Sequence, residues 1–211
     1  MSRLRRCFNV QIVREETLLS CGKYAASDDW KKTRASLYKA IRKVDWPHGS
    51  GKFTIYPESG KRAGQGNGVK PIKLGLMQEL KRRGWKLEEP LGIAILKRPG
   101  KLDAVLYTSF GPVALEWETG NISSSHRALN KMALGLHKGV LAAGILVVPS
   151  RELYKYLTDR IGNMAELEPY LDLWRSVPCE NGVLEIVAIE HDGTSKRVPR
   201  IPKGTDGRAL R

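Results

Sequence analysis

An α/β fold, a mixed central β-sheet flanked by helices, is what this sequence predicts, and three observations carry the expectation. Val113, Leu115 and Trp117 alternate with Ala114, Glu116 and Glu118, the period of a half-buried strand. A second strand-like run, Lys101–Thr108, precedes it across the turn-forming Thr108-Ser-Phe-Gly-Pro112, so the two read as a hairpin. After an intervening helical stretch comes Leu141-Ala-Ala-Gly-Ile-Leu-Val-Val148, a nearly continuous apolar run of the kind covered on both faces. The strand-helix-strand order makes it parallel to Val113–Glu118.

The other elements follow in order. Ser27 to Val44 has helix spacing through Trp30, Leu37, Ile41 and Val44, with Ser27 or Asp28 as the cap. Its other face carries Lys31, Lys32, Arg34, Lys39, Arg42 and Lys43, a solvated face or a track along phosphates. A short strand, Lys52–Tyr56, leads to Ala63-Gly-Gln-Gly-Asn-Gly68, which lacks the phosphate-loop pattern and reads as a flexible loop near a binding surface. Pro71 to Arg83 is a helix, with proline at its start, basic residues in its last turn and Gly84 as the stop.

Three strands are expected next: Gly92–Lys97, Lys101–Thr108 and Val113–Glu118. The helix Ser123–Lys138 places Leu129, Met132 and Leu136 on one side, and its hydroxyl-rich start, Ser123-Ser-Ser125, either caps itself or faces an anion. A short helix over Ser150–Leu157, a capping box at Asn163-Met-Ala-Glu166 and a final strand, Val183–Glu190, complete the pattern.

Composition narrows the partners. A formal charge of +14 over 211 residues points to a polyanion, with DNA or RNA ahead of an anionic membrane surface; the alternative is a solubilising charged surface. Cys7, Cys21 and Cys179 are scattered and odd in number, and they form no ligand-spaced pair with the four histidines, which argues against a disulfide framework or a zinc site. No apolar stretch is long enough for a signal peptide or a bilayer span, so a soluble, cytoplasmic protein without a membrane partner is expected.

In so basic a chain, acids repeated on one strand face call for an explanation. Glu116 and Glu118 lie two residues apart and share a face. A two- or four-residue hairpin loop pairs residues whose numbers sum to 219, which sets Asp103 across from Glu116. Like charges facing across a ladder repel, and a divalent cation between them reverses the sign of that interaction. A solvated face and a cation site both remain open on these residues alone.

At Glu116-Trp-Glu-Thr-Gly-Asn-Ile-Ser-Ser-Ser-His-Arg127 the sequence closely resembles the BamHI-like type II restriction endonucleases. Further matches occur in order at Trp46-Pro, Phe53-Thr-Ile, Asn67-Gly-Val-Lys-Pro-Ile-Lys73, Leu102-Asp103, Tyr156-Leu-Thr-Asp-Arg160, Glu166-Leu-Glu-Pro-Tyr170 and Ile201-Pro-Lys-Gly-Thr-Asp-Gly207. The resemblance implies a PD-(D/E)XK restriction-endonuclease-like core over residues 46–211. Residues 1–45 are then an N-terminal extension whose basic helix packs on that core, within one domain overall.

It also implies a Mg2+-dependent enzyme. Asp103 and Glu116 would hold the metal, and a further family carboxylate falls on Glu88, with Glu89 one residue away leaving that assignment open. Glu118 stands where related nucleases use lysine and would activate or orient the attacking water. Asn121, Ser123, Arg127, Asp159 and Arg160 would read bases in the major groove, Asp206 and Gly207 would form a minor-groove arm, and Lys73 would also contact DNA. The implied target is the palindrome GGATCC in double-stranded DNA, cut by a homodimer to leave 5′ overhangs and protected in the host by a companion DNA methyltransferase. The implied dimer contact uses Ser123–Lys138 and the segment around Glu166–Tyr170, with His137 and Lys138 facing Glu166 and Glu168. No small-molecule cofactor is implied.

The chemistry agrees: carboxylate-held metal supplies a nucleophilic hydroxide and relieves charge on the leaving oxygen. Two rivals use the same fold, a catalytically silent DNA-binding protein and a structure-specific repair nuclease. The intact Asp103, Glu116 and Glu118 argue against the first.

Overall fold

A computed structural model describes residues 10–62, 64–93, 100–118, 120–158 and 161–203. Along the chain it runs β1 (Gln11–Cys21), α1 (Gly22–Ala26), α2 (Asp28–Ile41), β2 (Thr54–Ile55), α3 (Lys70–Arg82), β3 (Lys86–Pro90), β4 (Lys101–Thr108), β5 (Gly111–Trp117) and α4 (Ile122–His137). Then come β6 (Ala143–Pro149), α5 (Arg151–Tyr154), α6 (Met164–Leu167), a 3-10 turn (Glu168–Tyr170), α7 (Leu171–Arg175), β7 (Gly182–Glu190) and β8 (Gly193–Thr194).

Six strands form one mixed sheet in the order β1-β7-β6-β5-β4-β3, while β2 and β8 pair separately. β5, β6 and β7 are parallel, and β4, β3 and β1 are added antiparallel at the flanks. Every residue of β6 is buried, as its unbroken apolar run requires. Ile145 and Val147 face a cluster with Leu37 and Ile41 of α2 and Leu76 and Leu80 of α3. Leu146 and Val148 face the opposite cluster, with Leu129 and Met132 of α4 and Trp174 of α7. Each such fully buried large side chain contributes roughly 1.5–3 kcal/mol.

Three features depart from the sequence expectation. The first is β1, whose alternation of half-exposed and exposed positions hid a strand that pairs along most of its length with β7, from Gln11↔Glu190 to Cys21↔Gly182. The second concerns Arg34, which does not belong to a solvated face. Its Nε and Nη2 donate to Glu185 Oε1 at 2.9 and 2.6 Å, and the Glu185 side chain is only 1 % exposed. A carboxylate buried on β7 requires such a partner, and the pair ties α2 to the sheet.

The third is the end of the glycine-rich segment, Gly66–Gly68, which is a packed crossing. Asn67 is fully buried; its Nδ2 donates to the carbonyls of Tyr56 and Tyr156, and its Oδ1 accepts Ile201 N–H. At Gly68 a Cβ would lie 2.1 Å from the Pro202 carbonyl oxygen, so no larger residue fits. This crossing immediately precedes α3 and sets its start.

Smaller corrections concern element boundaries. The strand expected at Gly92–Lys97 has residues 94–97 outside the described residues, and β3 lies earlier, at Lys86–Pro90. Asn163 precedes α6 but forms no capping box: its Nδ2 donates to the Glu166 carboxylate instead of its oxygen capping the helix. Among the described residues no helix is long and apolar enough to cross a membrane.

Candidate active site

The β4–β5 hairpin closes through a two-residue turn, Ser109-Phe110, and pairs Thr108 with Gly111 and Ala104 with Leu115, so paired numbers sum to 219. Asp103 and Glu116 are next in that register. Here side chains replace the backbone ladder. Asp103 Oδ2 accepts Trp117 N–H at 2.8 Å, and the Glu116 carboxyl accepts the Asp103 N–H. These bonds fix the two acids side by side at the end of β5.

Burial, followed by the Asp103 charge, pushes Glu116 up from its usual 4.5 to about 7, while Lys131 and Lys73 oppose the shift. Lys73 Nζ, from α3, is ion-paired with Asp103 Oδ1 at 2.5 Å. Lys131, from α4, donates to the Gly100 carbonyl at 2.7 Å, and burial holds its ammonium below the usual lysine range. Two acids that repel each other are therefore partly neutralised, Asp103 by its ion pair with Lys73 and Glu116 by the more distant charge of Lys131.

Glu118 lies just past β5 and is 5 % exposed. Its Oε1 accepts Gly120 N–H at 2.5 Å, and its Oε2 accepts the Ser125 hydroxyl. The helix start nearby caps itself, with Asn121 Oδ1 accepting Ser124 N–H at 3.2 Å. Ser123 and Arg127, one turn apart, are exposed. Together with Lys73, Asp103, Glu116 and Glu118 they line a cleft of about 990 Å³.

Other expected residues are not gathered there. Glu88 lies between the pairs Leu87↔Ala104 and Glu89↔Leu102, hence beside Asp103 in register, but it has a left-handed backbone (φ 52°), is exposed, and does not line the cleft. Its neighbour Glu89 accepts the Tyr107 hydroxyl at 2.9 Å. Asp159, Arg160, Asp206 and Gly207 lie outside the described residues. The acids expected at a dimer contact bond within the chain, Glu166 to Asn163 and Glu168 to Arg14, and His137 Nδ1 lies 3.0 Å from the Pro178 carbonyl.

Two residues of the cluster escaped sequence reading. Lys131 follows Arg127 by four residues and Ser123 by eight, so the helical stripe was there to be read. Ser125 was read only as part of the hydroxyl-rich helix start, and nothing local signalled its pairing with Glu118, seven residues back.

Hard oxygen ligands in a cation-rimmed cleft suit a divalent metal beside a phosphodiester. Among the described residues no three carboxylate, histidine or cysteine side chains cluster as a ready-made metal cage. Asp103 and Glu116, held side by side at the cleft, could hold such an ion.

Comparison with known proteins gives the same lineage. The family model described as Restriction endonuclease BamHI matches residues 10–208. The chain is 52 % identical over 175 residues to the type II restriction enzyme OkrAI of Oceanobacter kriegii, covering 83 % of this chain and 88 % of that one. It is 37 % identical to the type II restriction enzyme BamHI of Bacillus amyloliquefaciens, covering 79 % of this chain and 77 % of that one. A solved structure of the restriction endonuclease BglII complexed with a DNA 16-mer matches with a TM-score of 0.57 at 12 % identity, over 89 % of this chain and 87 % of that one, a likeness of fold. The hairpin acids, the cleft and these matches converge: the chain belongs to the BamHI family of type II restriction endonucleases.

Proposed function

We propose that this enzyme hydrolyses one phosphodiester in each strand of the palindrome GGATCC in double-stranded DNA, leaving 5′ overhangs, with Mg2+ as cofactor and as a homodimer. The observation that carries the reading is the adjacent pair Asp103 and Glu116, buried enough to raise Glu116 to about 7 and facing a cleft rimmed by lysine and arginine. A carboxylate so placed is neutralised by a proton or by a cation.

Asp103 and Glu116 would hold the ion, which when bound supplies Lewis acidity and a nucleophilic hydroxide at neutral pH. Lys73 and Lys131 keep the acids neutralised beforehand, which fits the ion pair of Lys73 with Asp103. Glu118 orients or deprotonates the attacking water. Arg127 and Ser123, exposed on the first turns of α4, read base edges with Asn121; Asp159 and Arg160 add to that readout and Asp206 and Gly207 supply the minor-groove arm. Glu88, next to Asp103 in register, is the outlying carboxylate of the set.

The dimer contact is proposed along α4 and residues 164–175. Tyr170 and Leu173 there are 47 % and 60 % exposed, and the Tyr170 ring packs edge-on against His126 of α4. Two-fold symmetry of the target asks for two-fold symmetry in the protein. The host is then expected to carry a methyltransferase acting on the same sequence.

Digesting a plasmid of known sequence with Mg2+ tests the reading. Discrete fragments with 5′ ends inside GGATCC, lost on chelation, are expected; intact plasmid, or cutting that ignores the sequence, overturns it.

A further inference from the structure

We infer that Ser125 is a positioning residue for Glu118: its hydroxyl, buried beneath the start of α4, fixes the orientation of that carboxylate at the cleft. This rests on the reading of Glu118 as the group that acts on the attacking water.

The backbone of Glu118 is anchored by its N–H to the Val147 carbonyl at 2.9 Å, but the chain leaves β5 at that point and the flexible glutamate side chain needs its own restraint. Gly120 N–H takes Oε1 and the Ser125 hydroxyl takes Oε2, so the carboxylate is gripped from two directions. Ser125 is fully buried, whereas Ser123 is exposed to the cleft. Successive residues on a helix turn by about 100°, so adjacent serines of the run serve different tasks. A serine inside a helix commonly bonds back to its own backbone; here the hydroxyl leaves the helix to reach an acid.

The packing above the contact shows how closely it is enclosed. A Cβ at Gly162 would stand 2.4 Å from Ser125 Oγ and 3.4 Å from Glu118 Cγ, and one at Gly120 would meet Glu118 Oε1 at 3.3 Å. Gly162 N–H donates to the Gly120 carbonyl at 2.9 Å, closing the enclosure. Because Ser125 is shielded from the cleft, its contribution falls on the chemical step and not on DNA affinity.

The test compares Ser125→Ala, Ser125→Cys, Glu118→Ala and the double variant Ser125→Ala/Glu118→Ala in single-turnover cleavage, with KM, DNA affinity and circular dichroism measured for each. Ser125→Ala is expected to lower kcat roughly 10- to 100-fold, the scale of one hydrogen bond to a charged group, with KM and affinity unchanged. Cysteine fills the same space but donates weakly, so Ser125→Cys should stay impaired, and the double variant should be no slower than Glu118→Ala alone. Wild-type cleavage by Ser125→Ala or by Ser125→Cys, or a loss confined to KM, overturns the inference. If Glu118→Ala itself cleaves normally, the reading of Glu118 falls; if Glu118→Ala is inactive and Ser125→Ala is not impaired, the assignment of Ser125 alone falls.

Discussion

Replacing Glu116 by glutamine should stabilise the metal-free enzyme while abolishing cleavage. The ordinary value of the carboxyl is 4.5 and burial beside Asp103 raises it to about 7. The folded protein therefore holds this proton more tightly than the unfolded chain does. The ionised group costs nothing below about pH 4.5 and its full cost above about pH 7. A difference of this size corresponds to about 3 kcal/mol at 1.36 kcal/mol per pKa unit. That figure is already net of the attraction to Lys131 and Lys73, which oppose the shift; glutamine keeps an oxygen for the Asp103 N–H and removes the charge, so the gain above about pH 7 is at most about 3 kcal/mol. Urea titrations in chelator at pH 5 and pH 8 measure it: the variant should exceed wild type at pH 8 and approach it at pH 5. Mg2+ should then raise the stability of wild type and leave the variant unchanged. A variant no more stable than wild type at pH 8 would refute the account of Glu116 as a strained, cation-seeking acid.

Four other outcomes are expected. Arg34→Ala should cost about 3–5 kcal/mol of folding free energy, because it removes the guanidinium paired with the buried Glu185 carboxylate, and denaturant unfolding reads the loss directly. Arg127→Ala should relax discrimination against near-cognate sites by about 1–3 kcal/mol, measured by comparing cleavage of GGATCC with single-substituted sites; unchanged discrimination removes Arg127 from base reading. Lys138→Glu should shift sedimentation toward the monomer, and an unaltered profile argues against the α4 contact. DNA affinity should fall with salt at a log–log slope of roughly −0.9 per phosphate neutralised, and a flat titration would mean that the basic rim does not face DNA.

How much was readable in advance depended on the range of the interactions. The hairpin register and the adjacency of Asp103 to Glu116 followed from alternation and turn length, both local quantities. The parallel, fully buried β6 followed from its apolar run. β1 was not readable, because Arg14, Glu15 and Glu16 interrupt its apolar pattern and, apart from the Arg14–Glu16 pair, their partners lie far off on α2, α7 and the Glu168 turn. The same limit applied to the site. Lys73 was singled out for DNA, and its pairing with Asp103 was not foreseen, a contact set by the docking of α3 through Asn67 and Gly68. Ser125 looked like part of a hydroxyl-rich helix start facing an anion, and the anion it meets is Glu118.

The sheet order also bears on how a DNA-cutting enzyme is made. β1 lies far ahead of β7 in the chain, yet among the described residues β7 is the strand it pairs with, Gln11 opposite Glu190. The hairpin with Asp103 and Glu116 is synthesised midway, but β6, against which β5 lies, gains its second neighbour only when β7 emerges. Pairings so distant in sequence close slowly. A nascent chain thus carries the Asp103–Glu116 hairpin for a time without the completed sheet that aligns it, and the wiring of the sheet delays the full scaffold until β7 has emerged.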